Sequence, residues 1–162
     1  AQLQRDAVPF EPQVLELESL LRPNLALYKT LAASKKIQLN AIDIPPDLIL
    51  TDPNMADTVL RNLIQNAIKF TPENGSVTVS AHVDREWMWV QISDSGIGIP
   101  TERIDSIFKI DTTLSTPGTK GEVGSGLGLH VCNELIQKCG GKIDVISQEG
   151  QGATFKFSFP LA

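Results

Sequence analysis

Two runs of alternating polar and apolar residues, Ser76 to Asp84 and Trp87 to Asp94, constrain the fold more than any other feature of the sequence. Alternation with a period of two is the pattern of a β-strand that buries one face. Only the dipeptide Arg85-Glu86 separates the two runs, and so short a connection predicts an antiparallel β-hairpin. A second pair of alternating runs, at 142–147 and 153–159, predicts another hairpin around the turn Gly150-Gln151-Gly152.

Apolar residues at helical spacing predict four helices, over residues 12–36, 53–70, 101–108 and 127–139, and short alternating segments at 37–42 and 48–50 predict two further strands. The first helix contains Pro23, which predicts either one bent helix or two short ones. The second has the clearest start, because Asp52 is a favourable N-cap and Pro53 suits the first helical position. Gly140 is the expected C-terminal cap of the last helix. This order predicts helices layered on one face of a mixed sheet.

Composition bounds the classes of function. The chain of 162 residues is 41% hydrophobic and 20% charged, which predicts a single folded domain over residues 1–162. Its net charge of −5 and the lack of a basic stripe predict no nucleic-acid partner. No apolar run approaches the roughly 20 residues of a membrane span, so no membrane contact is predicted. The chain opens without Met or a signal peptide, and we expect it to be part of a longer protein.

The two cysteines indicate the compartment. Cys132 and Cys139 are one heptad apart on a single predicted helix, a span of roughly 10 Å that no disulfide bridges. We therefore expect two free, buried thiols, which fit a reducing cytoplasm.

A glycine-dense loop, Gly124-Ser125-Gly126-Leu127-Gly128-Leu129, runs directly into the last predicted helix. Glycines let backbone N–H groups approach a ligand, and the positive end of the helix dipole favours an anion such as phosphate. On its own, such a loop is equally compatible with an ordinary turn.

Three polar residues, Asn62, Asn66 and Lys69, share the face of the second helix that lies opposite its leucines. Asparagine is a poor helix former, so two of them in mid-helix need an explanation. An amide oxygen can occupy one vertex of an octahedral Mg²⁺ whose other ligands are phosphate oxygens and water, and a nearby ammonium neutralises phosphate charge. The alternative is a solvated polar face.

Asp94 ends a predicted strand and is followed by Gly96, Gly98 and Ile99. A carboxylate only accepts hydrogen bonds, so in a pocket it would hold the amino group of adenine and repel the carbonyl of guanine. The glycines would let the backbone lie along the purine, with Ile99 as an apolar wall. The alternative is a surface turn. The sequence contains no Walker A pattern, so a P-loop enzyme is excluded.

Four segments resemble, in chain order, the conserved boxes of sensor histidine kinases. Residues 62–71 are similar to the N box, residues 94–100 to the G1 box, Phe108 to the first phenylalanine of the F box, and residues 124–129 to the G2 box. The resemblance implies the GHKL fold, an α+β two-layer α/β sandwich whose mixed, mostly antiparallel sheet carries helices on one face. The second phenylalanine of the F box is missing from the run Phe108-Lys109-Ile110-Asp111, a departure from the family pattern that concerns the packing just after Phe108 and leaves the nucleotide motifs intact.

The resemblance also implies residue roles. Asn66 would coordinate Mg²⁺ with Asn62 alongside, Lys69 would touch phosphate, and a lid from about Lys109 to Val123 would close over the phosphates. The implied nucleotide contacts are Asn66, Lys69, Asp94, Gly96, Gly98, Ile99, Lys120, Gly124, Gly126, Leu127, Gly128 and Thr154. Thr154 would support Asp94 through a water, or is simply a β-branched strand residue; Lys120 would reach the γ-phosphate, or is a solvated loop lysine.

Two missing groups decide the expected mechanism. Relatives that hydrolyse ATP alone place a glutamate general base four residues before the metal-binding asparagine, where this chain has Asn62. Neither His82 nor His130 has a carboxylate at the next position, and both are interpreted as packed, structural side chains. The phosphoacceptor histidine is therefore expected upstream.

The expected function is that of a protein-histidine kinase catalytic domain that binds ATP and Mg²⁺. Its expected partners are an upstream dimerisation and phosphoacceptor domain, reached through a linker at residues 1–8, and a response regulator. The full-length protein is expected to be a homodimer, cytoplasmic or anchored to a membrane. The alternatives are a stand-alone GHKL ATPase and a module that binds a partner without catalysis.

Overall fold

The computed structural model describes residues 8–109, 119 and 128–162, and every structural statement here concerns those residues. The strands are β1 (Gln13–Glu16), β2 (Gln38–Ile42), β3 (Leu48–Thr51), β4 (Ser76–Asp84), β5 (Trp87–Asp94), β6 (Ile143–Ser147) and β7 (Ala153–Pro160). The helices are α1 (Leu17–Ser34), α2 (Pro53–Lys69), α3 (Thr101–Ile104) and α4 (Gly128–Lys138).

Five of the described strands form one mixed sheet in the order β2-β4-β5-β7-β6. The β2–β4 pair is parallel and the other three pairs are antiparallel. Both predicted hairpins are confirmed: β4 and β5 pair from Val77 opposite Asp94 to Asp84 opposite Trp87, and β6 pairs with β7. The predicted α+β sandwich with a mostly antiparallel sheet is therefore confirmed.

The core lies between one face of this sheet and the helices. Alternate residues of the central strands are buried, as in Met88, Val90 and Ile92 of β5, because their side chains point to the helical layer. Helix α2 packs against both α1 and α4 and places its apolar stripe on the sheet. The stripe includes Leu60, Leu63, Ile64 and Ala67, all buried as the periodicity predicts.

The start of α2 confirms the predicted cap. The Oδ1 of Asp52 accepts hydrogen bonds from the backbone N–H groups of Asn54 (2.9 Å) and Met55 (3.2 Å), and Pro53 occupies the first helical position. Its Oδ2 accepts from the backbone N–H of Glu11 at 2.9 Å. One carboxylate therefore fixes both the start of α2 and the N-terminal segment, and this orients the helix that carries Asn62 and Asn66.

Two helix predictions were wrong in their extent. The helix predicted from residue 12 begins only at Leu17, because residues 13–16 form β1 and pair antiparallel with β3. The bonds to β3 decide the local structure there over helical periodicity, and α1 then runs through Pro23 as a single helix. The helix predicted over residues 101–108 ends as α3 at Ile104 and continues in turns.

None of the helices in the described part of the chain is both long and apolar enough to cross a lipid bilayer.

Burial controls the chemistry of the two thiols. Cys132 and Cys139 are both free and buried, as predicted. Burial disfavours the charged thiolate, so it raises the pKa of Cys132 to about 12 and also raises the pKa of Cys139. We expect neither thiol to react with a disulfide reagent at about pH 8 in the folded protein, and both to react after unfolding. Rapid modification of the native chain would contradict this packing.

Candidate functional site

Asp94 lies at the end of β5 with one oxygen held and the other available. Its Oδ1 accepts hydrogen bonds from the backbone N–H groups of Gly96 (2.8 Å) and Ala153 (3.2 Å). Oδ2 has no hydrogen-bond partner within residues 8–109, 119 and 128–162. The carboxylate is therefore oriented by the protein and can accept a donor from a ligand.

The environment of Asp94 disfavours its charge. Burial raises the pKa of this carboxyl above its ordinary value of 3.8, while the hydrogen bonds from Gly96 and Ala153 partly oppose that rise. A ligand that donates a hydrogen bond to Oδ2 would stabilise the carboxylate further. Perturbed carboxyls of this kind are typical of binding sites.

The loop after Asp94 fits closely against two neighbouring segments. The N–H of Ile97 donates to the carbonyl oxygen of Phe70 at 3.1 Å, and a Cβ added to Gly96 would overlap the same oxygen. Gly98 has a φ of 72°, and a Cβ there would overlap the carbonyl oxygen of Gln148. Glycine is thus required at both predicted positions, and the loop is joined to the C-terminal end of α2 through Phe70.

The polar face of α2 lies beside the start of α4. Asn62, Asn66 and Lys69 are all half-buried. The Nδ2 of Asn62 donates to the carbonyl oxygen of Thr58 at 2.9 Å, and a Cβ built on Gly128 would lie 3.4 Å from Asn62 Oδ1. The structure therefore brings Gly128, the one described residue of the predicted phosphate contacts at 124–128, next to the predicted asparagine pair.

The side-chain amide of Asn66 has no hydrogen-bond partner in the described parts of the chain. A half-buried amide without a protein partner is available to a ligand or a metal ion, and its oxygen is of the hard type that Mg²⁺ prefers. Lys69 Nζ lies 4.8 Å from the centre of the Phe70 ring, which fixes its stem near the same end of α2. No group of three or more His, Cys, Asp or Glu residues within the described ranges could hold a metal ion.

Two residues that the sequence did not single out complete the end of α2. The buried Lys35 donates from Nζ to the carbonyl oxygens of Ile68 (3.0 Å) and Lys69 (2.9 Å). Thr119 donates from its backbone N–H to the same Lys69 oxygen at 3.1 Å. A cation at a helix C-terminus satisfies exposed carbonyls and complements the helix dipole. Nothing in the local sequence distinguishes Lys35 from a surface lysine.

The far side of the loop rests on β6 and β7. The N–H of Ile99 donates to Ser147 Oγ at 2.8 Å. The hydroxyls of Thr154 and Ser93 lie 2.9 Å apart, and strand pairing places Ser93 opposite Thr154 but Asp94 opposite Ala153. Thr154 therefore lies on the other face of the sheet from Asp94, and the β7 group that bonds Asp94 directly is the Ala153 N–H. The contribution of Thr154 to nucleotide binding stays a prediction.

The two histidines differ. His130 is packed as expected: its Nδ1 donates to the carbonyl oxygen of Phe108 at 3.1 Å, and its Nε2 lies 3.1 Å from Glu134 Oε1. Phe108 packs edge-on against Phe155 with ring centres 6.2 Å apart. His82 is exposed on β4, so the expectation that it is packed was wrong.

Several predicted contacts lie outside the described residues, namely Lys120, Gly124, Gly126 and Leu127, together with the predicted lid except for Lys109 and Thr119.

Comparison with known proteins identifies the family of this chain. Residues 51–162 match the family described as histidine kinase-, DNA gyrase B-, and HSP90-like ATPase. The adaptive-response sensory kinase SasA of Synechococcus elongatus is 37% identical over 159 residues, which cover 96% of this chain and 40% of SasA. SasA of Prochlorococcus marinus strain SARG is 36% identical over 156 residues, with 94% and 40% covered. The chain thus spans less than half the length of these relatives.

Solved structures show the same fold. The catalytic domain of histidine kinase ThkA superposes with a TM-score of 0.78 at 29% identity, over 93% of this chain and 95% of that domain. Full-length ShkA in complex with AMPPNP superposes with a TM-score of 0.79 at 30% identity, over 96% of this chain and 32% of ShkA. The protein therefore belongs to the family of histidine kinase-, DNA gyrase B-, and HSP90-like ATPases.

Proposed function

We propose that this chain binds Mg·ATP and donates the γ-phosphoryl group to a histidine on a separate dimerisation domain, as the catalytic domain of a two-component sensor histidine kinase. The observation that carries the proposal is the half-buried carboxylate of Asp94. Two backbone donors hold it with Oδ2 available, and its loop is bonded to the end of the helix that carries Asn66. The kinase names of SasA and ThkA and the AMPPNP complex of ShkA support it.

At the end of the site that holds the base, Oδ2 of Asp94 accepts a hydrogen bond from the exocyclic amino group of adenine. The Gly96–Gly98 backbone lies along the purine, since no side chain is tolerated at either glycine. Ile99, partly buried against the core, supplies an apolar wall. Guanine is rejected because its carbonyl would face a carboxylate.

At the phosphate end, the amide oxygen of Asn66 would hold Mg²⁺, with Asn62 alongside and Lys69 on a phosphate oxygen. When bound, Mg²⁺ neutralises charge on the phosphate oxygens. By the family resemblance we assign further phosphate contacts to Lys120, Gly124, Gly126, Leu127 and Gly128. The residues bind and align the phosphoryl group, and most of the expected rate enhancement comes from this positioning.

Transfer to a histidine is favoured over hydrolysis because Asn62 occupies the position of the glutamate base in relatives that hydrolyse ATP alone. An amide takes no proton from water, and the Nδ2 of Asn62 is already bonded to the backbone of its own helix. We therefore expect the phosphoryl group to be transferred to a stronger nucleophile than water.

We further propose the partners. The acceptor is an upstream dimerisation and phosphoacceptor domain of a homodimeric protein, joined through residues 1–8, and the phosphoryl group then passes to a response regulator. Residues 1–162 act as a single catalytic domain in the cytoplasm, where ATP is available and thiols stay reduced.

A phosphotransfer assay tests the proposal. The chain is mixed with γ-labelled ATP and a separately produced histidine-bearing domain of the full-length protein. We expect acid-labile label on that domain only when both Mg²⁺ and this chain are present. Steady ATP turnover without the acceptor domain would instead establish a stand-alone ATPase, and a complete lack of ATP affinity would leave only a partner-binding module.

Nucleotide affinity should depend on pH through Asp94. Burial raises its pKa above 3.8, so the protonated form persists to higher pH than for an exposed aspartate and cannot accept from adenine. Affinity should fall as pH drops through that raised pKa, by at most about tenfold per pH unit, and binding should release a proton in the same window. Calorimetry in buffers of different ionisation enthalpy measures both. Affinity that is constant from about pH 4 to pH 7 would contradict the role of Asp94.

The raised pKa of Asp94 affects the stability of the fold in the direction opposite to its effect on nucleotide affinity. Because the folded state holds this proton more tightly than the unfolded chain does, the contribution of Asp94 to stability is greatest below its ordinary pKa of 3.8. It is lost as pH rises through the folded pKa.

A further inference from the structure

The turn between β6 and β7, residues 148–152, contacts the loop after Asp94 along its length. The N–H of Gly150 donates to the carbonyl oxygen of Ile97 at 2.7 Å. A Cβ added to Gly98 would overlap the carbonyl oxygen of Gln148, so the two backbones are in close contact. The proposed base-binding loop is therefore supported by this turn on the side away from α2.

Ser147 connects the turn to the loop through one hydroxyl. Its Oγ donates to the carbonyl oxygen of Gly152 and accepts from the N–H of Ile99, both at 2.8 Å. Ser147 is the last residue of β6, and its hydroxyl reaches across the turn to the strand that follows it. One side chain thus satisfies a backbone donor of the loop and a backbone acceptor of the turn.

Gly152 is in turn packed against Asp94. Its φ is 85°, and a Cβ there would overlap the backbone oxygen of Asp94. The next residue, Ala153, donates its N–H to Asp94 Oδ1. The hydroxyl of Ser147 is therefore linked to both ends of the base site: to Asp94 through Gly152 and Ala153, and to Ile99 directly.

We infer that Ser147 is a positioning residue for recognition of the adenine base, fixing the loop at Ile99 and the strand segment that orients Asp94. The inference rests on the proposed function, since it assumes that a base binds at Asp94. Without the hydroxyl, the Ile99 N–H loses its acceptor and the Gly152 carbonyl loses one donor. The loop must then be ordered by the nucleotide. That ordering reduces affinity although Ser147 does not contact the ligand.

Ser158 offers a matched control. It is a buried serine on the neighbouring strand β7, and its Oγ accepts from the backbone N–H of Lys142 at 3.0 Å. Ser158→Ala, like Ser147→Ala, removes one hydroxyl bonded to a backbone N–H in the β6–β7 hairpin. Ser158 lies near the opposite end of β7 from Ala153, and its hydroxyl bonds to Lys142, away from the base site.

The experiment measures ADP affinity by calorimetry and the thermal midpoint for both alanine variants. We expect both to lower the midpoint, and only Ser147→Ala to weaken ADP, by about tenfold. Ser147→Thr, which keeps the hydroxyl on a residue suited to a strand, should restore affinity to within about threefold of the unmodified chain. Ser147→Ala should reduce the affinity for ATP by the same factor as the affinity for ADP, because the affected contacts are at the base.

The outcomes separate two failures. If the unmodified chain binds neither ADP nor ATP, the proposed function is wrong, and the role of Ser147 is lost with it. If the unmodified chain binds ADP but Ser147→Ala binds it equally well, or if Ser158→Ala loses as much affinity, Ser147 is only a structural hydrogen bond. Should Ser147→Ala not fold, Ser147→Cys keeps a similar shape with weaker hydrogen bonding and supports the same comparison.

Discussion

Replacing Asp94 by asparagine should weaken both ATP and ADP binding by about a hundredfold without unfolding the protein. The two N–H donors of Gly96 and Ala153 both point at Oδ1. An asparagine must turn its carbonyl oxygen toward them, and its NH₂ group then occupies the place of Oδ2. A donor would face the donor amino group of adenine, and the charge-assisted bond would be lost as well.

Calorimetry with ATP, ADP and GTP measures the effect. The unmodified chain should bind ATP and reject GTP, whereas Asp94→Asn should discriminate between the two bases much less, because an NH₂ group can donate to the guanine carbonyl. Because burial disfavours the charge of Asp94, the variant should unfold at the same temperature or higher, which serves as the control for folding. Affinity for ATP within about threefold of the unmodified chain would mean that the base binds elsewhere.

Asn66→Asp should reduce phosphotransfer to the acceptor domain by about a hundredfold, and Asn62→Asp by about tenfold or less. The amide of Asn66 has no protein partner in the described residues, as expected for a group that binds Mg²⁺. A carboxylate there changes the charge of the metal site and repels the phosphate oxygens. The amide of Asn62 is bonded to Thr58, so its main role is within the helix.

The two variants control for each other, since both add one negative charge to the same face of α2, one helical turn apart. Nucleotide binding without Mg²⁺ should be similar in both, so a difference that appears only with Mg²⁺ assigns the metal ligand. Equal phosphotransfer rates would show that Asn66 is not that ligand.

Local sequence predicted what depends on local interactions. The β4–β5 hairpin, the Asp52 cap and the buried face of α2 each follow from residues a few positions apart. Residues 13–16 were predicted as helix because their pairing with β3 depends on a segment more than thirty residues away, which helical periodicity does not register.

The residues of the candidate site show the same difference between local and long-range interactions. Gly96 and Gly98 were identifiable from the sequence, because a Cβ at either position would overlap the backbone of another segment. Lys35, Ser147 and the N–H of Ala153 were not, because an ammonium, a hydroxyl and a backbone amide acquire their roles only when distant strands and helices meet. The position of Thr154 on the opposite face of the sheet from Asp94 was likewise not visible in the local sequence, because strand register decides which face a side chain occupies.

The antiparallel ladder between β5 and β7 has a consequence for how the protein folds. The ladder pairs Asp94 with Ala153, so its formation must close a long loop of chain, which costs conformational entropy. Strands β4 and β5 are neighbours in sequence, so their hairpin forms with little loop-closure entropy. We therefore expect the hydrogen bond from the Ala153 N–H to Asp94 Oδ1 to form after the hairpin. We expect a nucleotide bound at Asp94 to stabilise a contact that forms late, and so to slow unfolding rather than to speed folding.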